Sequence, residues 1–351
     1  MKTVKKSITQ SIEDKIDFII YWVDGTDSKW LRKKATYSAT TYQNAPSRFR
    51  DWDILKYWFR AVEKYAPWVN RIFFITDNQR PNWINYNNPK IIPIDHTDYI
   101  PNKYLPTFNS HTIELNVHRI TGLSEHFVVF NDDMYINQPI TPEYYFRKGL
   151  PCDGTYEHIF SGCGYDRIDK WGISIIDYIN TQIINANFKR SDVVKGNKSR
   201  WYGKYLGNKY RLQAYLLKLF RRDDFQHLYT PHNEKAFLKS IFEEAWEREP
   251  ELLAQSCTKF RENISLNIYF IRYWQLVSNK FHPQNILKSR KVIQLKKGCI
   301  AQIKEELFNP NTQSLCLNDS SECTYEDYQK LKPQIINLFE RKFPHKSSFE
   351  L

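Results

Sequence analysis

Residues 125–133 read EHFVVFNDD, a run of aromatic and β-branched residues that stops on an amide and two carboxylates. Five consecutive residues of this kind are too few for a core helix and suit a strand buried on both faces. The same grammar occurs twice upstream. IDFIIYWVDG (16–25) closes on Asp24-Gly25, RIFFITDN (71–78) closes on Asp77-Asn78, and a shorter strand is predicted over 90–94. Helical periodicity fills the intervals. Leu55, Trp58, Phe59, Val62 and Ala66 share one face between Asp51, a candidate N-cap, and the stop at Pro67. Ile113, Val117 and Ile120 do the same after Ser110, a second candidate cap. Strands alternating with helices predict an α/β fold with a mainly parallel, doubly wound sheet, whose ligands lie beyond the strand C-termini. Asp24, Asp77, Asn131, Asp132 and Asp133 stand at those ends.

The chain of 351 residues is long enough for one or two domains with a large core. Its 41% hydrophobic and 26% charged content is that of a folding chain rather than a disordered one. The longest clean apolar run, 18–23, has six residues against the roughly 20 that span a bilayer, and the mean hydropathy is −0.62. No transmembrane helix is expected. The first fifteen residues carry lysines without an apolar stretch, so no secretory signal is expected and a cytoplasmic location is. Six cysteines without C-x-x-C spacing read as reduced, mostly packed thiols. The net charge, 51 − 39 = +12, points to a polyanionic or phosphate-bearing partner. With only 11 glycines and neither a Walker nor a dinucleotide glycine motif, phosphate binding by a glycine-rich loop is excluded.

Residues 1–13 read as a flexible arm and 14–351 as a single catalytic domain. Within it, 188–222 is a basic insertion with eleven Lys/Arg, seven aromatics and one acid, Asp192. Its second half predicts a basic amphipathic helix through Tyr215, Leu216, Leu219 and Phe220, a surface suited to anionic lipid headgroups or a phosphate-bearing polymer, or else a plain solvated face. No nucleic-acid-binding module surrounds it, so nucleic acid is not an expected partner. Further helices are predicted over about 234–248 and at the C-terminus, where Pro333 delays or kinks the last one.

Several residues could carry chemistry. Adjacent Asp132 and Asp133 after a buried strand form a hard-oxygen site for Mg²⁺ or Mn²⁺ and hence for a diphosphate, although such pairs also serve as plain turns. Asp24-Gly25-Thr26-Asp27 resembles a haloacid-dehalogenase signature, but Trp22 stands where that nucleophile belongs. Glu114 and His118, four apart, would let a carboxylate orient an imidazole. His227 and His232 flank Pro231 in a loop where either is a candidate general base. Arg261 could clamp phosphate oxygens, and Asn318-Asp319 repeats the Asn-Asp pattern.

Taken in order, these fragments resemble the Stealth family of sugar-phosphate transferases, which includes bacterial capsular polysaccharide phosphotransferases and the animal N-acetylglucosamine-1-phosphotransferase. IDFIIYWVDGTDSKW (16–30) is similar to the first block of that family, and 48–137 to the long second block. TPHNEKAFLKSIFEE (230–244) resembles the third, and CTKFREN with CLNDS and FPHKSSFE resembles the fourth and the C-terminal end. The resemblance implies a Rossmann-like, GT-A-like nucleotide-sugar-binding core. It also implies transfer of a hexose-1-phosphate from a nucleotide sugar, usually UDP-linked, to a saccharide or capsule-polymer hydroxyl. A phosphodiester forms and the nucleoside monophosphate leaves, with the enzyme peripheral at the inner membrane face.

Carried over by motif, Asp132, Asp133 and Asp319 are the metal acids and Arg261 the arginine, with Glu114 on the acceptor-side helix. Asp24, Asp77, Asn131 and His118 are placed with donor binding. Many relatives have histidine two residues before the third-block proline, where this chain has Tyr229, so the base falls to His232, with His227 the alternative. An ordinary hexosyltransferase attacking the sugar C1, or a nonenzymatic polyanion-binding protein, are the competing readings.

Overall fold

A computed structural model describes residues 15–37, 49–158, 175–220, 223–262, 265–319 and 322–351. The expected arm, Cys163, Arg221 and Arg222 lie outside them. The first elements are β1 (Ile16–Tyr21), α1 (Ser28–Tyr37), α2 (Leu55–Tyr65), β2 (Ile72–Thr76), β3 (Ile91–Asp95), α3 (Ser110–Leu115), β4 (His126–Phe130) and β5 (Met134–Ile136). In the main sheet the strand Lys235–Leu238 comes first, followed by β4, β1, β2 and β3. The last four are parallel, with Phe18 facing Ile72 and Val128 in register, and Lys235–Leu238 runs antiparallel to β4. Every residue of β2, and all of β1 but Tyr21, is buried. Helices on a sheet's faces demand such continuous apolar strands, and this is why the runs were readable.

Trp58 of α2 is fully buried and meets the rings of Phe18, Phe59 and Phe130 at 6.4, 5.0 and 5.4 Å. One side chain thus ties α2 to two strands. A second sheet grows directly from the end of the first, because β5 follows β4 after a short turn. It pairs antiparallel with Ser314–Asp319, which in turn pairs parallel with Arg290–Leu295. The C-terminal helix Tyr325–Lys342 begins with a Thr324/Asp327 capping box and carries Pro333 inside it, so proline does not set its start. Past that helix, Glu350 accepts two bonds of 2.9 Å from Arg60, whose Nη1 also reaches the Phe343 carbonyl at 2.6 Å. The chain end is therefore clamped to α2.

Four local expectations are corrected. Asp51 does not cap α2: the N-cap is Ile54 without a side-chain bond, while the Asp51 carboxylate accepts from the Asp53 amide. Asn109 rather than Ser110 caps α3, accepting from His111 N at 3.0 Å. That helix stops at Leu115 and continues as a 3₁₀ turn, Val117–Arg119, so the face predicted to run to Ile120 is broken. The predicted helix from 234 begins at Lys239, because Lys235–Leu238 is taken into the sheet as its antiparallel edge.

The described part of the basic insertion is helical, its second half as expected. It follows α4 (Ile175–Asn187) as α5 (Arg190–Val194), α6 (Lys198–Trp201) and α7 (Gly207–Leu219). No described helix is long and apolar enough to cross a membrane. Five cysteines are free and buried, matching the packing role expected of them.

Trp58→Ala should lower the unfolding free energy by about 3–5 kcal/mol, the usual cost of emptying a large aromatic site. Urea titration of the two proteins measures it, and a loss below about 1 kcal/mol would remove Trp58 from the centre of the core.

Candidate active site

Beyond the C-terminal ends of β1, β2 and β4 lies a cavity of about 570 Å³, within the range of small-ligand sites. Trp22, Trp30, Phe49, Trp52, Phe108 and Tyr269 supply much of its apolar wall. Gly25 explains part of this wall. A Cβ there would stand 2.0 Å from the Phe49 carbonyl oxygen, so glycine lets the Phe49–Arg50 segment close over the 24–27 turn. The Asp-Gly-Thr motif is thus structural. Asp24 itself accepts from Thr26 N and Oγ1 at 2.8 and 2.6 Å and is absent from the cavity wall.

The acidic floor comes from the β4–β5 turn. Met134 N closes the turn on the Asn131 carbonyl at 3.1 Å, and Leu317 N binds the Asp133 carbonyl at 2.8 Å. The Tyr135 hydroxyl donates to the Asp132 carbonyl at 2.8 Å. With the backbone held from both sheets, the side chains of Asn131, Asp132 and Asp133 face the cavity. Burial, then the charges of Asp133 and Asp51, push the Asp132 carboxyl up to about 8. Among the described residues no cation pairs with it. Asp17 offers a contrast within the same sheet. Fully buried, it accepts from Asn70 Nδ2 at 2.6 Å, Arg71 Nη2 at 3.1 Å and Ser124 N at 2.8 Å. The fold satisfies a structural acid and leaves Asp132 bare.

Asp319 arrives from the end of Ser314–Asp319 and also lines the cavity, held by Trp52 Nε1 at 3.2 Å and Arg50 Nε at 3.5 Å. Asp77 lines it too, paired with Lys33 at 2.6 Å.

His232 follows the Pro231 turn and faces the acids. Its Nε2 stands 3.3 Å from Asp133 Oδ2, and its Nδ1 is 3.0 Å from the Tyr269 hydroxyl. Burial pushes the Tyr269 phenol far up, so it stays protonated and donates to Nδ1. The network therefore assigns the imidazole proton to Nε2, directed at Asp133. His227 is not in the cavity. It lies buried 3.8 Å from Asp177, its pKa lowered to about 4 first by burial and then by the charges of His158 and Arg272.

Two further predicted residues, Arg261 and Glu114, also line the cavity. The segment carrying Arg261 is laid on the start of α3: Thr107 and Thr112 hydroxyls both donate to the Thr258 carbonyl, and Phe260 stacks on Phe108 at 5.3 Å. Arg261 then donates to Ser110 Oγ at the cavity mouth. Glu114, one turn along α3, is raised to about 7 by burial, opposed by the positive charge of Arg261. His118 is the exception. It lies outside the cavity wall, stacked on Phe242 at 5.8 Å, with burial holding its pKa near 3. The helix break after Leu115 turns it away from Glu114, which corrects the expected pairing and its place in donor binding.

Sequence reading missed four residues of this region, three that line the cavity and one thiol beside Asp133. Lys235 donates to the Asn233 carbonyl at 2.6 Å and lies 4.8 Å over the Tyr269 ring, its pKa brought down to about 8 by burial first and by Arg272 next. Arg50, Tyr269 and Cys316 are the others. Cys316 Sγ, Asp133 and His232 place their donor atoms within 4.8 Å of one another, the one such trio among the described residues. Burial and the Asp133 charge push its thiol far up. None of the four carries a local signal, because strand and helix contacts distant in sequence bring them in.

A divalent cation fits this floor on the chemistry of its donors. Asp133 Oδ1 is buried without a hydrogen-bond donor, and Asp132 is a raised acid among acids. Oxygen donors in this arrangement suit Mg²⁺ or Mn²⁺. The carboxylates of Asp132, Asp133 and Asp319 do not all lie within 4.8 Å of one another.

Residues 48–152 match the family model described as Stealth protein CR2, conserved region 2. An exopolysaccharide phosphotransferase of Lactiplantibacillus plantarum is 38% identical, covering 95% of this chain and 96% of that protein. A capsular polysaccharide phosphotransferase of Streptococcus pneumoniae is 35% identical over 96% of this chain and 98% of its own. For a receptor polysaccharide phosphotransferase of Streptococcus oralis the figures are 34%, 96% and 100%.

Because the raised carboxyl of Asp132 keeps a proton that the unfolded chain releases near pH 4, its contribution to stability is full below about 4 and is lost as pH rises towards about 8. Asp132→Asn lacks that slope. In EDTA the variant should therefore melt with wild type at pH 4 and several degrees above it at pH 8, with Mg²⁺ raising only the wild-type value. Parallel melting curves across that range would contradict the assignment.

Proposed function

The chain belongs to the Stealth family, and we propose that it transfers a hexose-1-phosphate from a nucleotide sugar, UDP-linked, to a saccharide hydroxyl in capsule or exopolysaccharide synthesis. Its relatives along the full chain are polysaccharide phosphotransferases, which supports an enzyme that transfers sugar phosphate. The observation that carries the finer reading is the single cavity uniting two adjacent acids, an imidazole set against Asp133 and three separate cations. That combination suits a diphosphate and an attack on phosphorus. In this reading the parallel sheet is a GT-A-like nucleotide-sugar core with aromatic walls for the base and sugar.

A divalent cation held by Asp132 and Asp133, with Asp319 alongside, would neutralise diphosphate charge. The chain's own groups do the rest. His232 is the base through Nδ1, since its Nε2–H points at Asp133, which holds the ring. The acceptor proton reaches Nδ1 either in place of the Tyr269 hydroxyl or through it, as that O–H passes its own proton to Nδ1 and takes the acceptor's. Arg261 and Lys235 face the transferring phosphate and stabilise charge on its oxygens, and Arg50 secures Asp319 from the opposite side. Glu114 orients Arg261 and the acceptor. The acceptor oxygen bonds to the β-phosphorus, the bond from that phosphorus to the bridging oxygen breaks, and the nucleoside monophosphate leaves.

Chromatography of the nucleotide product with ³¹P spectroscopy of the polymer tests the proposal. Uridine monophosphate from a UDP-sugar together with a phosphodiester resonance is expected. Stoichiometric diphosphate and no such resonance would mean attack on the anomeric carbon instead. His232→Ala should lower turnover by roughly 10²–10⁴, and His227→Ala by far less; the opposite ranking in steady-state assays would move the base. Arg261→Lys should lose roughly ten- to a hundredfold in kcat/KM, the loss of one charge-assisted hydrogen bond of about 1.5–3 kcal/mol. Wild-type turnover would release Arg261 from the phosphate.

A further inference from the structure

Helix α7 is built the wrong way round for a surface helix. Its buried residues are Ala214 and Leu217, while Leu212, Tyr215, Leu219 and the following Phe220 are 61, 42, 72 and 68% exposed. Spaced three, seven and eight residues from Leu212, they form one outward stripe rather than scattered contacts. Such a stripe has no reason to face water. Its flanks are cationic. Lys204, Lys209 and Lys218 are exposed, as are Lys189, Lys195 and Lys198 upstream, and from 188 to 220 Asp192 is the only acid.

We propose that α7 is an interfacial anchor, lying in the plane of a bilayer surface that carries anionic phospholipid, with its leucine and aromatic stripe among the acyl chains and its lysines at the phosphates. The charge selects an anionic surface. The apolar stripe selects lipid over a charged saccharide or a nucleic acid, neither of which offers an apolar medium for leucine side chains. With 13 residues and polar groups along its length, α7 lies on a membrane rather than through it.

The inner side of the helix shows what the anchor would position. Tyr210 donates to or accepts from His158 Nε2 at 3.0 Å and packs on Tyr156 at 5.0 Å and Tyr229 at 6.5 Å. His158 belongs to a two-residue strand paired with His227–Leu228, four residues before His232. A bilayer beneath α7 would thus sit at a fixed attitude to the cavity, whatever reaction the cavity performs.

Co-sedimentation of the full chain with phosphatidylcholine vesicles, with or without 30% phosphatidylglycerol, tests this. The wild type should partition at least tenfold better into the anionic vesicles at low salt and be released by 0.5 M NaCl. Leu212→Ser with Leu219→Ser and Phe220→Ser should lose at least tenfold of that binding, with an unchanged melting temperature and unchanged turnover on a short soluble acceptor. Lys204→Glu with Lys209→Glu and Lys218→Glu should lose it as well. Failure of the wild type to bind anionic vesicles, or full binding by the serine variant, would overturn the proposal. So would binding that the lysine variant loses and the serine variant keeps, because a charge-only surface is a polyanion site and not a lipid anchor.

Discussion

A carboxyl held in a poorly solvated place beside other acids, with no cation paired to it among the described residues, is the constraint around which this structure is arranged. Asp132 stands beside Asp133 and near Asp51, and burial together with those charges keeps its proton on to about pH 8. A protein that only needed a turn after β4 would gain from asparagine there. The cost is held in place by unusually thorough backbone support: both sheets bind the turn, one through Leu317 and the other through the continuation from Phe130. This is the pattern expected where electrostatic preorganisation is kept at the expense of stability.

The rest of the fold serves that turn from a distance. Parallel strands bring three chain segments to one end of the sheet, and the second sheet delivers Asp319 and Cys316 to the same end. The clamp of Arg60 on Glu350 and the Phe343 carbonyl fixes the C-terminal helix against α2. Arg50 and Trp52, just before α2, hold Asp319. Segments far apart in sequence, 50–52 and Asp319, therefore close one wall.

The sheet was legible because doubly covered strands must be apolar throughout, and no other element of this length produces IFFIT or HFVVF. The acids at their ends were legible for the same topological reason, and Asp77, Asn131, Asp132 and Asp133 do face the cavity. Local polar chemistry was less readable. Asp51 and Ser110 look like caps, but Ile54 and Asn109 occupy those positions, and a helix break after Leu115 sends His118 into an aromatic niche. Tyr269, Lys235, Arg50 and Cys316 gave no sign at all. The roles of Arg50 and Cys316 come from contacts more than a hundred residues apart, with Asp319 and Asp133, and Tyr269 meets His232 across 37 residues, separations that periodicity cannot register. His232 and Arg261, singled out in the sequence, both line the cavity.

The account stands on Asp132 and Asp133 holding a divalent cation against a diphosphate. Crystals grown with Mn²⁺ and uridine diphosphate, measured at the manganese absorption edge, address this directly. The account predicts an anomalous peak within bonding distance of both carboxylates and of the diphosphate oxygens, with His232 remaining on the acceptor side. A bound diphosphate with no manganese beside Asp132 and Asp133, or manganese held by Cys316 and His232 away from the diphosphate, would contradict it.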